Sequence, residues 1–275
     1  MKMAKAVKTH CQAAMAGESA AAAADWGNPE DYHQPSQPMD DSPFVQDKGD
    51  FEGLEAFYTV GENNEIFLSK LGEIKKDYSH LRRVRGDGNC FYRAYLFAMM
   101  ERVIGDPAGA KAVKATLESY LQKLTGEGGL GYQRDAIEMF YDECIEPLDA
   151  MIAGTYSAEK LEATFRDYSS SNGIVFFSRL ICSCYLQVEE EHFAPFLMGE
   201  GLSVKDYVQR EVEPLDKEVE QLQIIALCQA LNMPLRIVYL DRSDGPVNHH
   251  DFPEGSQPEA FMLYRPGHYD LLYRK

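Results

Sequence analysis

Cys90 directly follows Asp87-Gly88-Asn89 and opens a segment with Phe91, Ala94, Tyr95, Ala98 and Arg102 at helical spacing. That placement has a chemical consequence. The first turn of a helix leaves backbone N–H groups unpaired and carries a partial positive charge. Both favour a thiolate over a thiol. The same N–H groups can hold the oxyanion that forms when a thiolate attacks an acyl carbon. Gly88 lets the backbone bend sharply and leaves room for an acyl group to approach. Taken alone, the pattern also fits a turn and N-cap followed by a small buried cysteine.

A cysteine nucleophile needs a base, usually a histidine held by a carboxylate or amide. Of the seven histidines, His10 and His33 fall in the N-terminal stretch, and His268 stands in His268-Tyr269-Asp270 at the start of an apolar run. On a strand, alternation puts His268 and Asp270 on one face and Tyr269 on the other, so the acid can fix the imidazole tautomer. A solvated surface pair is the competing reading of those residues. His249-His250-Asp251 has a metal-like composition, but adjacent ligands on a loop fix no geometry. Cys182 and Cys184, two apart in an expected helix, point about 200° apart and suit neither a shared metal nor a disulfide. No metal and no cofactor is expected.

The elements that would carry these groups form an α+β pattern. Helical spacing predicts helices over 51–58, 66–78, 109–124, 135–152 (bent or ended by Pro147), 173–187 and 218–231. Ser203-Val204-Lys205-Asp206 resembles a capping box opening a helix to about Val212. The period then becomes strand-like at Leu235–Leu240, Ala260–Tyr264 and His268–Tyr273, with a polar loop before the second and Pro266-Gly267 between the last two. Many helices followed by strands read as α+β.

Composition sets the outer limits. The 275 residues carry 27 Lys+Arg and 44 Asp+Glu, a net charge of −17. This argues against a dedicated nucleic-acid binder and against docking on an anionic membrane, and it permits a basic protein partner. Residues 1–50, with an alanine run and Pro29, Pro35, Pro38 and Pro43, read as a disordered acidic N-terminal arm. Residues 51–275 read as one catalytic domain. Six cysteines spread through a long chain fit reduced thiols in a cytoplasmic or nuclear protein. No secretory signal or membrane span is evident.

Two blocks carry a family resemblance. Arg85-Gly-Asp-Gly-Asn-Cys-Phe-Tyr-Arg-Ala94 and Leu263-Tyr-Arg-Pro-Gly-His-Tyr-Asp-Leu-Leu-Tyr273 resemble the signature blocks of the otubains. These are a subfamily of the ovarian-tumour (OTU) domain cysteine deubiquitinases. Val212-Glu213-Pro214, Ile224–Leu227, Tyr239–Arg242 and Phe252–Gly255 are also similar, and the likeness spans about residues 55–275. It implies a papain-like OTU fold, helix-rich with a small C-terminal sheet, and hydrolysis of the isopeptide bond after the ubiquitin C-terminal glycine. By the resemblance, Cys90 is the nucleophile, His268 the base and then acid, and Asp270 the orienting carboxylate. The backbone N–H of Asp87 joins that of Cys90 in the oxyanion hole. The implied partners are ubiquitin and polyubiquitin chains, with ubiquitin-conjugating enzymes for those otubains that restrain them without catalysis. One departure stands out. Otubains commonly carry Asp-His-x-His before the Ile-Ile-Ala-Leu segment, and here the stretch is Glu220-Gln221-Leu222-Gln223. Linkage preference therefore does not transfer, and specificity for another ubiquitin-like modifier stays open.

Overall fold

The computed structural model describes residues 42–59, 64–243 and 245–275. Most of the expected arm, residues 1–41, lies outside them. Its end does not fit the expectation: Val45–Gly49 form strand β1, with Phe44 and Val45 buried, so order begins before residue 50. The rest of the order is α1 (Glu52–Thr59), α2 (Glu65–Asp77), β2 (Tyr78–Val84), α3 (Cys90–Arg102), α4 (Pro107–Thr125), α5 (Arg134–Ile152), α6 (Ala158–Arg166), α7 (Tyr168–Val188), α8 (Glu190–Leu197), α9 (Val204–Tyr207) running into a π-helical turn (Val208–Val212), α10 (Gln221–Leu231), β3 (Leu235–Tyr239), β4 (Asn248–Phe252), β5 (Ala260–Arg265) and β6 (His268–Arg274). The class is α+β, as the pattern implied. No helix among the described residues is long and apolar enough to cross a membrane.

The segment read as one catalytic domain contains two compact units. One combines Lys48–Arg82 with Pro234–Lys275, and the other combines Pro43–Asp47 with Arg83–Met233. The first is built on strands that lie side by side in the order β2-β6-β5-β3-β4. These five pair antiparallel except β3 with β5, which are parallel. Alternation sorts the side chains. Val238 on β3 lies opposite Leu263 on β5, and Leu263 lies opposite Asp270 on β6. Val238, Leu263 and Leu272 are packed with Phe51, Leu54, Phe67, Leu71 and Ile74 of the α1–α2 segment. The helix pair thus covers the sheet face that carries Asp270. Buried Lys70 of α2 fastens it to the loop after β3, with Nζ 2.5 Å from Asp241 and 2.8 Å from Ser243.

The second unit is helical and centres on α7, which packs against α3, α4, α5, α6, α9 and α10. A helix apolar around its whole circumference belongs in such a position, and α7 has buried residues on every side. Small residues let neighbours come close. A Cβ on Gly173 would stand 2.9 Å from Glu143 of α5. The helix starts cleanly because Asp167 accepts a hydrogen bond from Ser170 N at 2.9 Å. α3 departs from the single stripe expected for it. Every residue from Cys90 to Phe97 is buried, so most of its circumference is core.

Candidate active site

The candidate base and its acid are set by one tight hairpin. Pro266-Gly267 joins β5 to β6, with Gly267 at φ +71°, and sets Arg265 directly opposite His268. Alternation then puts Arg265, His268 and Asp270 on one face. His268 Nε2 lies 2.9 Å from Asp270 Oδ1. The other carboxylate oxygen accepts from Arg265 at 2.8 Å (Nη2) and 3.2 Å (Nε). Asp270 is fully buried. A buried carboxylate needs such partners, and here both oxygens are engaged. Burial works against the charge of Arg265, but the Asp270 carboxylate and the Tyr58 phenol outweigh it and hold its pKa above the usual arginine value. The expected pair of His268 and Asp270 is therefore present. Arg265 is its third member, absent from the residue-by-residue reading although it lies in the same block.

The candidate nucleophile lies in the helical unit. Cys90 is the first residue of α3 and is 5% exposed. Asn89 occupies the N-cap position, but its side chain makes no capping hydrogen bond. The positive end of the helix is thus left to act on Cys90 rather than being quenched by its cap. The Asn89 side chain is spent elsewhere. Its Nδ2 donates to Asp216 Oδ1 at 2.8 Å and to the Asp87 carbonyl at 3.3 Å. Its Oδ1 accepts from Arg179 Nη2 at 2.8 Å and from Asp216 N–H at 3.0 Å. Arg179, fully buried, also reaches the carbonyls of Val212, Gly88 and Lys217 at 3.0, 3.0 and 2.6 Å. Its guanidinium lies over the Tyr92 ring.

The Asp87 backbone N–H, expected in the oxyanion hole, donates here to the Arg85 carbonyl at 3.1 Å and closes a local turn. The Asp87 carboxylate does the positioning. One oxygen accepts Asn89 N–H at 2.9 Å, and the other meets Arg93 Nη2 at 2.6 Å. Arg93 is itself fully buried, bonds Ser171 and lies over the Phe44 ring. Burial pushes its pKa down and the Asp87 charge pushes back. A buried arginine on each side, Arg93 and Arg179, therefore holds the turn before the nucleophile.

The remaining candidates separate from this chemistry. His249, His250 and Asp251 are on a strand, β4, and not on a loop. Asp251 is held by Arg236 at 2.6 and 2.8 Å, and the His250 ring meets Tyr239 edge-on. Among the described residues no three potential metal ligands cluster. Cys182 and Cys184 are buried free thiols on α7. The departure at 220–223 resolves into two parts. Gln223 is fully buried, accepting from Tyr92 at 2.9 Å and donating to Tyr207 at 3.2 Å, so it is a core residue. Gln221, at the start of α10, is partly exposed.

A model of the Peptidase C65 Otubain family matches residues 37–274. The chain is 38% identical to ubiquitin thioesterase OTUB1 of Homo sapiens over 234 residues, 85% of this chain and 84% of that one. It is 35% identical over 276 residues to the ovarian tumor domain-containing deubiquitinating enzyme 1 of Arabidopsis thaliana, covering 91% and 89%. Among solved structures, a complex of ceOTUB1 with ubiquitin aldehyde and UBC13~Ub superposes with a TM-score of 0.80 at 36% identity, over 86% of this chain and 96% of that one. An h/ceOTUB1 complex with ubiquitin aldehyde and UBCH5B~Ub gives 0.79 at 36% identity, over 85% and 91%. The chain belongs to the otubain family of peptidases, peptidase C65.

Proposed function

We propose that the protein is a cysteine deubiquitinase that hydrolyses the isopeptide bond between the C-terminal glycine of ubiquitin and a substrate lysine. The observation that carries the reading is the buried Asp270, which holds His268 by Nε2, together with Cys90, the only cysteine at an uncapped helix start among the described residues. With Nε2 committed to Asp270, proton exchange falls to His268 Nδ1. That nitrogen takes the Cys90 proton, and the thiolate attacks the glycine carbonyl carbon. The tetrahedral oxyanion is stabilised by Cys90 N–H and the positive end of α3. As the C–N bond breaks, imidazolium His268 protonates the leaving lysine amine. His268 then draws a proton from water, whose oxygen displaces the thiolate from the thioester. Asp270 stays ionised throughout, held so by Arg265, and stabilises the imidazolium. None of these steps calls on a metal or cofactor.

The test is cleavage of diubiquitin by the full chain. Cys90→Ala is expected to abolish cleavage while retaining ubiquitin binding, and cleavage by that variant would refute the assignment. The solved complexes of its relatives with UBC13~Ub and UBCH5B~Ub favour a second role, restraint of ubiquitin-conjugating enzymes. Cys90→Ala would then still slow ubiquitin transfer in a conjugation assay, and an unchanged transfer rate would remove this role. We place the protein in the reducing cytoplasm or nucleus, a setting that suits the free cysteines among the described residues.

A further inference from the structure

We propose that Asp216, a surface residue in the loop between the π-helical turn and α10, is a positioning residue for hydrolysis, working with Arg179 through Asn89 on Cys90. The proposal rests on the reading of Cys90 as nucleophile. Asp216 touches neither the thiol nor its base. It holds the turn that aims the thiol. Asn89 is the residue covalently before Cys90, and its side-chain amide has four hydrogen-bonding positions, two donor and two acceptor. All four are filled: two by Asp216, one by Arg179 and one by the Asp87 carbonyl. Asp216 engages by both its backbone N–H and its carboxylate, so it locks the amide in one orientation.

Two further observations show that this loop and the turn are shaped to each other. Asp216 has φ +64°, a left-handed conformation uncommon for a residue with a Cβ. Gly88 has φ +73°, and a Cβ there would clash with the backbone of Asp216, standing 2.8 Å from its Cα. The two backbones therefore pack in direct contact. Arg179 binds the turn through Gly88 O and Asn89 Oδ1. It binds the loop through Lys217 O, and the π-helical turn that leads into the loop through Val212 O. A buried cation shared by four acceptors is expensive to rearrange. The consequence is a rigid seat for Asn89, and with it a fixed direction for the first residue of α3. A small misdirection of an attacking atom costs rate without costing substrate affinity.

The experiment uses the full chain and ubiquitin carrying a C-terminal fluorogenic amide. Asp216→Ala and Asp216→Gly both remove the carboxylate, and the glycine variant also relieves the left-handed strain. Asp216→Asn keeps an oxygen that can accept from Asn89. We expect kcat to fall about tenfold in the alanine and glycine variants, with KM unchanged. The asparagine variant should restore most of the rate. Because Asp216 is exposed, all three variants should fold, and the Tm of each is read alongside its rate. Wild-type kcat in the alanine variant, a change confined to KM, or a glycine variant as active as wild type would overturn the proposal. Failure of asparagine to restore the rate would do the same. An inactive wild-type protein would remove the deubiquitinase reading, and this proposal with it; an active wild type with indifferent variants removes only the proposal.

Discussion

Separating what Arg265 and Asp270 do for stability from what Asp270 does for catalysis gives a demanding test. The pair is nearly sealed from water, with side-chain exposures of 13% and 0%, and is joined by hydrogen bonds of 2.8 and 3.2 Å. Asp270→Leu removes the carboxylate and strands the Arg265 cation against an apolar wall. Breaking a buried pair from one side costs about 3–5 kcal/mol. For a protein of this size that is a fall in Tm of roughly 6–20 °C. Arg265→Met removes the charged partner of Asp270 while keeping His268 and should cost about 2 kcal/mol, the penalty for a buried oxygen that loses its donor. The double variant has no stranded charge. Replacing a whole buried pair by apolar groups of similar volume is close to neutral, so the double variant should lose only about 1 kcal/mol against a combined single-variant loss of about 5–7 kcal/mol, a coupling of about 4–6 kcal/mol in the double-mutant cycle. Yet it should remain inactive, because His268 Nε2 has lost its acceptor. Thermal unfolding of the four proteins, alongside hydrolysis of a ubiquitin amide, reads both quantities. Additive losses in the two single variants would refute the claim that the residues act as one buried pair. An active double variant would refute the role given to Asp270.

Gly88→Ala meets both a left-handed φ and the Asp216 backbone. It should cost more than the ~1 kcal/mol of a simple left-handed alanine, read as a lowered denaturant midpoint, and it should cut activity; an active variant with an unchanged midpoint would contradict the close approach described. Thiol reactivity should be selective. Burial pushes Cys182 and Cys228 up to about 12 and Cys184 up to about 11, and Cys144 higher still. Iodoacetamide at pH 8 should therefore modify Cys90 well before these four, and peptide mapping checks the order.

The nucleophile's turn and the base–acid pair were both legible because each is a local signal. A glycine turn before an apolar helix, and alternation along one short strand, involve residues only a few positions apart. The partners that lock them were not legible. Arg93 meets Ser171, Arg179 meets Asn89, and Asn89 meets Asp216 across long stretches of chain. Arginine in a sequence reads by default as solvated. Besides β1, two strands escape the sequence for different reasons. β2, Tyr78-Ser-His-Leu-Arg-Arg-Val84, follows α2 with no breaker between them. Its alternation is blurred because Arg82 is buried beside Leu81 and bonds the Tyr273 hydroxyl at 3.0 Å. β4 is polar, lies at the sheet edge and is held by pairing with β3, which leaves no apolar period to read. The sheet is therefore larger than its C-terminal strands implied. α6 did leave a signal: Ser157 at the cap and Leu161 and Phe165 four apart. Pro147, expected to bend or end α5, lies within it, and the helix continues to Ile152.

The proposed activity depends most on the Cys90 sulfur being the atom that attacks the end of ubiquitin. Incubating the full chain with ubiquitin bearing a C-terminal electrophile, then measuring the intact mass and mapping the adduct, tests this directly. One ubiquitin per chain is expected, attached at Cys90 and absent in Cys90→Ala. An unlabelled folded protein, or an adduct on any other cysteine, would contradict it.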